Sequence, residues 1–264
     1  MVKYKQTAIL GAVLLGMTAV SMLLVHLQTA VAGTVTTILY DGSLGGTPDT
    51  QAMLYLTQPS PPFPPSQATQ IFSNNLTILD TTATNNDYAG YFGDESVPVL
   101  SRTLGFTLSF AVQIDSESHA NDDRAGFSVI LLSSDVEGIE LGFWEDEVWA
   151  QDDDSESPAD MFTHDEGAAW DTTSGLINYE LAIISDSYKL WGNGTVVLTG
   201  SLRNYSNFTG LIDPYEIPNL VFLGDDTTSA QAHIQLAYVA VTVNEPVVIV
   251  EPDPNLLFVP FVRK

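Results

Sequence analysis

Cysteine is absent from all 264 residues of the chain. A disulfide framework, a thiolate metal site and a cysteine nucleophile are therefore excluded. The fold must depend on its hydrophobic core, and a composition with 45% apolar residues supplies one over this length.

Basic residues are scarce as well, because only 8 lysines and arginines accompany 33 aspartates and glutamates. A chain this acidic repels nucleic acids and anionic membrane surfaces, so both are excluded as partners. The composition leaves two interpretations of this acidity open. Carboxylates in loops bind calcium, or the charge serves only to keep the protein in solution.

Sustained helical periodicity is also missing, and no internal repeat is visible. Apolar and polar residues alternate instead, most clearly in residues 106–114, where the apolar side chains share one face. In residues 127–132 both faces are apolar, which predicts a central strand buried on two sides. We therefore predict an all-β chain whose antiparallel meander is covered as a two-sheet sandwich.

Turn residues divide the chain into strands. The predicted strands are 35–40, 52–56, 76–79, 106–114, 127–132, 139–144, 148–151, 177–184, 188–191, 195–199, 220–223 and 232–243. The last one changes its apolar phase near Tyr238, which predicts a bulge there. Asn193-Gly194 predicts a primed hairpin turn. Residues 152–173 are predicted as a long irregular segment that is functional or disordered.

The amino-terminal residues 1–32 have the pattern of a signal peptide. Lys3 and Lys5 precede an apolar run, and Ala30-Val31-Ala32 is a small-x-small cleavage site. A permanent membrane anchor is the alternative. Cleavage after Ala32 would remove two lysines and no acid, leaving 6 basic against 33 acidic residues and a net charge of −27. We predict a secreted or cell-surface protein, more typical of bacteria because it lacks cysteine, whose mature form does not span the membrane.

The predicted domain therefore covers 33–244, and 245–264 forms a separate tail. The tail begins as an acidic, proline-containing linker and ends in a short apolar and basic peptide. It is too short to cross a bilayer, which takes about 20 apolar residues. An extra edge strand and a recognition tag at the cell surface are both compatible with it.

Five segments, in this order, resemble the strands of a concanavalin A-like (laminin G-like) jelly roll: GFTLSFAVQI, RAGFSVILLSS, GIELGFWEDEVWAQ, NYELAIISDSYKLWGNGTVVLTGSL and NLVFLGDDTTSAQAHIQLAYVAV. The chain also resembles secreted bacterial proteins that carry such a domain and varying carboxy-terminal anchors. The resemblance covers about 35–243. It implies a two-sheet antiparallel jelly-roll sandwich and, often, glycan or calcium binding. It does not settle the function, because this fold serves lectins, glycosidases, lyases and structural modules.

Aromatic residues in loops are the candidates for sugar binding. Trp170 lies in the long irregular segment, and Tyr91 lies in a glycine-flanked aromatic segment that we interpret as a loop. Trp144 and Trp149 are interpreted as packing residues. A partner that is a glycan or a component of the cell envelope follows from this interpretation.

Acidic loops at strand ends are the candidates for a calcium site, because hard oxygen ligands in flexible loops suit this ion. The candidates are Asp152, Asp153 and Asp154 after one strand and Asp225 and Asp226 after another. A plain acidic surface is the alternative. His164 precedes two acids, but three adjacent residues rarely converge on one metal ion.

Glu145-Asp146-Glu147 is the sharpest catalytic candidate, because two carboxylates two residues apart on a strand share a face. Glucanases of the resembled family carry Glu-x-Asp-x-(x)-Glu, and here the aspartate at the third position is missing. We interpret the three acids as a solvated hairpin tip. The favoured function is a non-catalytic, carbohydrate-binding or envelope-associated module, and the alternatives are a polysaccharide-cleaving enzyme and a structural surface protein.

Processing gives the first testable prediction. The mature protein is expected to begin at Gly33, because signal peptidases cut after small-x-small sites. Mass spectrometry of the protein recovered from a secreting host would check this. A protein that stays in the membrane fraction with Met1 intact would show that the apolar run is an anchor.

Overall fold

Two antiparallel sheets account for nearly all regular structure in the computed structural model, which describes residues 33–153 and 161–246. The strands of the described residues are β1 Thr34–Asp41, β2 Met53–Thr57, β3 Thr69–Ser73, β4 Leu76–Asp80, β5 Ala89–Gly93, β6 Phe106–His119, β7 Ser128–Leu132, β8 Gly138–Phe143, β9 Glu147–Gln151, β10 His164–Ala169, β11 Ile177–Ile184, β12 Ser187–Gly192, β13 Thr195–Ser201, β14 Val221–Asp225 and β15 Ala230–Asn244. Short 3-10 turns at Gly42–Leu44 and Pro48–Thr50 follow β1.

One sheet has eight strands, in the order β13-β12-β11-β6-β15-β4-β3, with β1 also paired to β15. The other has seven, in the order β10-β9-β8-β7-β14-β5-β2. Alternation along each strand directs one set of side chains between the sheets, where the main core forms. The predicted two-sheet antiparallel jelly-roll sandwich is confirmed.

Strand β15 is the longest of the described strands and pairs with three others. It lies against β6 along its length, while β4 and then β1 occupy its other edge. The register with β6 shifts between Leu236 and Tyr238. Burial changes phase at the same place, from Ile234 and Leu236 to Val239 and Val241. The predicted bulge near Tyr238 is therefore confirmed.

Strand β7 is buried on both faces, as predicted. Val129 and Leu131 belong to the core between the sheets. Ile130 and Leu132 belong to a second apolar cluster on the opposite face of the seven-stranded sheet, hereafter the outer face. The segment 202–220, between β13 and β14, contributes Tyr205, Tyr215 and Leu220 to that cluster. The outer face thus has an apolar cover of its own.

Three strands were not predicted. The segment predicted as an aromatic loop contains β5, a central strand in which Gly90 is required because an added Cβ would lie 2.4 Å from the Phe222 ring. Strand β10 lies within the predicted irregular segment, and its sequence HDEGAA shows no apolar alternation. Strand β3 is a sheet edge whose Ile71 is exposed.

The signal-peptide prediction for 1–32 and nearly all of the predicted tail lie outside the described residues. So does Asp154, within the gap at 154–160. Within the two described ranges, no helix has the length and apolar character needed to cross a membrane.

The core between the sheets gives the second prediction. Phe110 is 1% exposed and its ring lies 5.1 Å from that of Tyr179 and 6.0 Å from that of Phe143. Phe110→Ala is expected to lower the free energy of unfolding by about 3–5 kcal/mol, because it removes apolar contacts and leaves a cavity. Urea denaturation measures the change. The control is Ile184→Ala on β11, where the side chain is 57% exposed. Equal losses in the two variants would contradict the assignment of Phe110 to the core.

Candidate functional site

A cavity of about 620 Å³ lies on the outer face of the seven-stranded sheet. Strands β5, β7, β8, β9 and β14 form its floor, because alternate residues of each strand point to this side. The floor residues are Gly90, Phe92, Ser128, Ile130, Glu140, Gln151 and Phe222. A volume of this size is typical of pockets for small ligands.

Aromatic rings form much of the cover. Phe162, Tyr205, Phe208 and Tyr215 pack with centroid separations between 5.1 and 5.7 Å. The Tyr205 hydroxyl donates to the Gln151 carbonyl at 2.8 Å and accepts from the Glu140 amide at 3.2 Å. These bonds attach the cover segment to β8 and β9, so the cavity walls are held in place by buried contacts.

Two carboxyl groups, hereafter the carboxyl pair, lie at the floor of the cavity, those of Glu140 on β8 and Asp226, just after β14. Glu140 is buried, and Tyr215 donates its hydroxyl to Glu140 Oε2 at 2.5 Å. Burial raises the pKa of Glu140 well above its usual value and also raises the pKa of Asp226.

The carboxyl of Glu140 is occupied by the hydrogen bond from Tyr215. Among the described residues that line the cavity there is no histidine.

Two glutamines that line the cavity have unused acceptors. Gln151 donates Nε2 to the Asp123 carbonyl at 3.2 Å, and Gln58 donates Nε2 to the Pro64 carbonyl at 2.9 Å. These carbonyls fix which amide atom is nitrogen. Both side chains are buried, and within the described part of the chain Oε1 of each has no partner. Buried acceptors without donors are costly.

Arg124 lines the cavity too. Its Nη1 donates to the carbonyls of Phe162 at 2.6 Å and Asp123 at 2.5 Å, which ties two loops together. Its positive charge opposes the rise of the pKa of both Glu140 and Asp226. The guanidinium therefore partly offsets the charge of the buried pair.

Tyr91, predicted as a ligand platform, lies on β5 and is 0% exposed. Its side chain points into the core between the sheets, where its hydroxyl donates to Gln70 Oε1 at 3.0 Å. The placement in a loop was wrong, because Gly90 and Gly93 serve strand packing here and not a turn. The ring presents no surface to a ligand.

Trp170 follows β10 directly and is partly buried. Its Nε1 donates to the Tyr179 hydroxyl at 3.1 Å, and its ring covers Gly192, where an added Cβ would lie 2.5 Å from it. It borders a shallow depression with Glu145 and Asp171, separate from the large cavity. A ligand role for Trp170 stays a prediction.

The aspartates predicted to bind calcium separate into different environments. Asp225 is buried and accepts from the Thr81 hydroxyl at 2.7 Å and the Thr227 amide at 3.2 Å, and burial raises its pKa well above the usual value. Asp226 belongs to the carboxyl pair. Asp152 lies 3.9 Å from Arg203, and Asp153 accepts from a backbone amide.

No group of three or more histidines and acids is placed to hold a metal ion in the described ranges. Asp154 lies outside those ranges. Calcium binding stays a prediction.

The Glu145-Asp146-Glu147 segment joins β8 to β9. Glu145 and Asp146 are exposed in the turn, which confirms the predicted hairpin tip for these two residues. Glu147 instead begins β9, where its Oε1 lies 3.3 Å from His164 Nε2. His164 also packs on the Trp149 ring, at 4.5 Å between centroids. None of the three acids lines the large cavity.

Sequence reasoning missed the main residues of this cavity, Glu140, Gln151, Gln58 and Arg124. One signal was available for Glu140, which interrupts the apolar run of β8 at a position flanked by Ile139 and Leu141. A charged residue between apolar neighbours in a predicted strand is a candidate for a buried functional group. The glutamines carry no comparable signal.

No family model matches the sequence, and no curated protein matches it. Among solved structures, the fold is similar to a conserved carbohydrate esterase from the Shiga toxin-encoding bacteriophage phi24B, with TM-score 0.52, 10% identity and coverage of 80% of this chain and 100% of that one. An endo-1,3-beta-glucanase from Streptomyces sioyaensis gives TM-score 0.44 and 12% identity over 83% of this chain and 97% of its own. Alginate lyase A1-II' gives TM-score 0.41 and 9% identity over 68% and 84%.

At these identities the similarity concerns the fold. The chain has the two-sheet architecture of concanavalin A-like jelly-roll proteins. The function of the cavity on the outer face must therefore be argued from the residues of this chain.

The carboxyl pair gives the third prediction. Folding raises the pKa of Glu140, so the native state holds a proton that the unfolded chain releases near the ordinary value of 4.5. Stability from this group is therefore complete below that value and declines as pH rises toward the folded pKa. Glu140→Gln keeps an acceptor for Tyr215 but does not titrate. We expect it to be more stable than the native protein at about pH 8, by roughly 1–3 kcal/mol, and similar at about pH 5.

Urea denaturation across this pH range measures the effect. The matched control is Glu180→Gln, an exposed glutamate on β11, which should follow the native pH profile. A Glu140→Gln profile parallel to that of the native protein would show that the carboxyl does not titrate with folding.

Proposed function

We propose that the protein is an extracytoplasmic, non-catalytic carbohydrate-binding module, with the cavity on the outer face of the seven-stranded sheet as its binding site. The observation that carries this proposal is the cavity itself, whose wall combines aromatic rings with polar side chains. A sugar suits such a wall, because its hydroxyl groups form hydrogen bonds.

The apolar part of the wall suits the same ligand class. Rings of Phe92, Phe162, Phe208 and Tyr215 line the cavity beside the polar floor. The C–H faces of a pyranose ring pack on aromatic rings, while its hydroxyls meet the polar groups. The phage protein of similar fold is described as a carbohydrate esterase. Of that description we extend only the carbohydrate to this chain.

A binding role is supported by the state of Glu140. Its carboxyl is buried and accepts the Tyr215 hydroxyl, so it is not free to protonate a leaving oxygen. Secretion through the signal peptide remains part of the proposal, since glycans of the envelope and the surroundings are the expected partners.

The fourth prediction concerns Gln151. On a glycan array the purified protein is expected to retain specific glycans, and Gln151→Leu is expected to bind them at least about tenfold more weakly, because it removes a polar side chain from the floor of the cavity. Gln113→Leu is the matched control. Gln113 also lies on a strand and donates Nε2 to a backbone carbonyl, that of Thr173 at 3.0 Å, but it does not line the cavity.

Equal weakening by both substitutions would show that Gln151 acts through stability alone. Release of shorter sugars from bound polysaccharide would identify an enzyme and contradict the non-catalytic role. Absence of binding across the array would contradict the proposed function.

A further inference from the structure

The wall of the cavity divides into a polar side and an apolar side. The polar side lies where β14 ends and β7 begins, because antiparallel pairing brings these two strand ends together. Five polar side chains line the cavity there without being fully buried: Asn121, Arg124, Asp226, Thr228 and Ser229. Together they present hydrogen-bond donors and acceptors, so this side suits the hydroxyl groups of a sugar.

The apolar side extends from the floor of the cavity to the edge of the sheet. Phe92 on β5 packs on Phe222 at 4.7 Å between ring centroids, and β2 follows β5 as the last strand in the sheet order. On β2, Leu56 lines the cavity and Leu54 pairs in register with Phe92. Residues two apart on a strand point to the same side, so the two leucines continue the apolar surface outward from the aromatic rings.

This outer part of the apolar side is open to water. Leu54 is 51% exposed and Leu56 is 49% exposed. Leu211, in the segment 202–220 that covers the outer face, lines the same cavity and is 71% exposed. A single exposed leucine is ordinary, but these three, hereafter the leucine rim, lie around one aromatic-lined cavity. A clustered apolar surface of this kind indicates a binding site.

A bare sugar would leave the leucine rim uncovered. The C–H face of a pyranose packs on flat aromatic rings, whereas exposed branched aliphatic side chains gain most when another aliphatic group covers them. A wholly apolar ligand fails on the opposite side, because it would cover Arg124 and Asp226 without supplying hydrogen bonds. A ligand with a hydroxylated head and an aliphatic chain matches both sides of the wall.

We propose that the ligand is an amphiphilic sugar, whose hydroxylated head lies against the polar side of the cavity and whose alkyl or acyl chain lies over Phe92 and the leucine rim. This inference rests on the proposed carbohydrate-binding function and specifies its ligand class. In the described part of the chain no strand lies beyond β2, so the aliphatic chain leaves the cavity across the free edge of the sheet.

Alkyl glycosides of increasing chain length test the inference. Methyl, hexyl and octyl glycosides of glucose, galactose and mannose are titrated calorimetrically below their micelle concentrations, beside octyl tetraethylene glycol ether, an amphiphile without a sugar. Each fully buried methylene raises affinity about fourfold. For at least one sugar, the octyl glycoside is therefore expected to bind at least about tenfold more tightly than both the methyl glycoside and the octyl ether.

The outcomes separate this inference from the proposed function. A methyl glycoside that binds as tightly as the octyl glycoside of the same sugar would overturn the inference and leave carbohydrate binding standing. Octyl tetraethylene glycol ether binding as tightly as every octyl glycoside would contradict carbohydrate binding itself. Failure of all these compounds to bind would overturn the inference alone if the protein retains glycans on the array, and both proposals if it retains none.

Variants of the leucine rim assign the effect to this surface. Leu56→Ser and Leu211→Ser are each expected to lower the ratio of octyl to methyl glycoside affinity at least about threefold, because each removes apolar surface beneath the aliphatic chain. Ile71→Ser is the matched control, since Ile71 is 56% exposed on β3, an edge strand of the other sheet, and does not line the cavity. Circular dichroism and thermal melting establish that the variants fold. An unchanged ratio in both rim variants, or an equal fall in Ile71→Ser, would overturn the inference.

A second copy of this chain is the competing occupant of the leucine rim. Sedimentation velocity is expected to show a monomer at the concentrations of the titration. A dimer that Leu56→Ser dissociates would show that the rim is covered by another copy of the protein, and it would overturn the inference.

Discussion

The seven-stranded sheet is buried on both of its faces, and the position of the cavity follows from this burial. Its central strand β7 places Val129 and Leu131 in the core and Ile130 and Leu132 on the outer face, so apolar surface exists on both sides. The eight-stranded sheet covers only one side. The segment 202–220 covers part of the other through Tyr205 and Tyr215, and the cavity lies where sheet and cover remain apart.

A covered outer face changes the chemistry of any polar group placed there. Glu140 would be an ordinary carboxylate on an exposed strand, but under the cover it accepts the Tyr215 hydroxyl, and burial raises its pKa well above the ordinary value. The same hydrogen bond holds the cover in position. The site that we propose for ligand binding and the stability of this half of the sandwich therefore depend on the same residues.

Much of the fold could be predicted because its signals are local. Alternation in β6 and β7, the phase change near Tyr238 and the Asn193-Gly194 turn each report on neighbouring residues, and the structure agrees. Strand β5 escaped prediction because Gly90 is explained by the Phe222 ring of a distant strand, and β10 escaped because Gly167 is explained by the Glu147 side chain of its neighbouring strand. The cavity escaped for the same reason, since Gln58, Glu140, Gln151 and Asp226 come together only through the pairing order of the sheet.

Strand β15 determines when this chain can fold. Residues near the start of the domain pair with residues near its end, from Thr34 with Asn244 to Asp41 with Tyr238, and β6 also lacks one neighbour until β15 arrives. Such contacts close loops of nearly the whole domain, which makes folding slow relative to chains of local contacts. During synthesis the eight-stranded sheet must remain open at β6 until the last strand emerges. Until then β6 is an unpaired edge, and the charges at its end, Asp115 and Glu117, are the kind that discourage pairing with a strand of another chain.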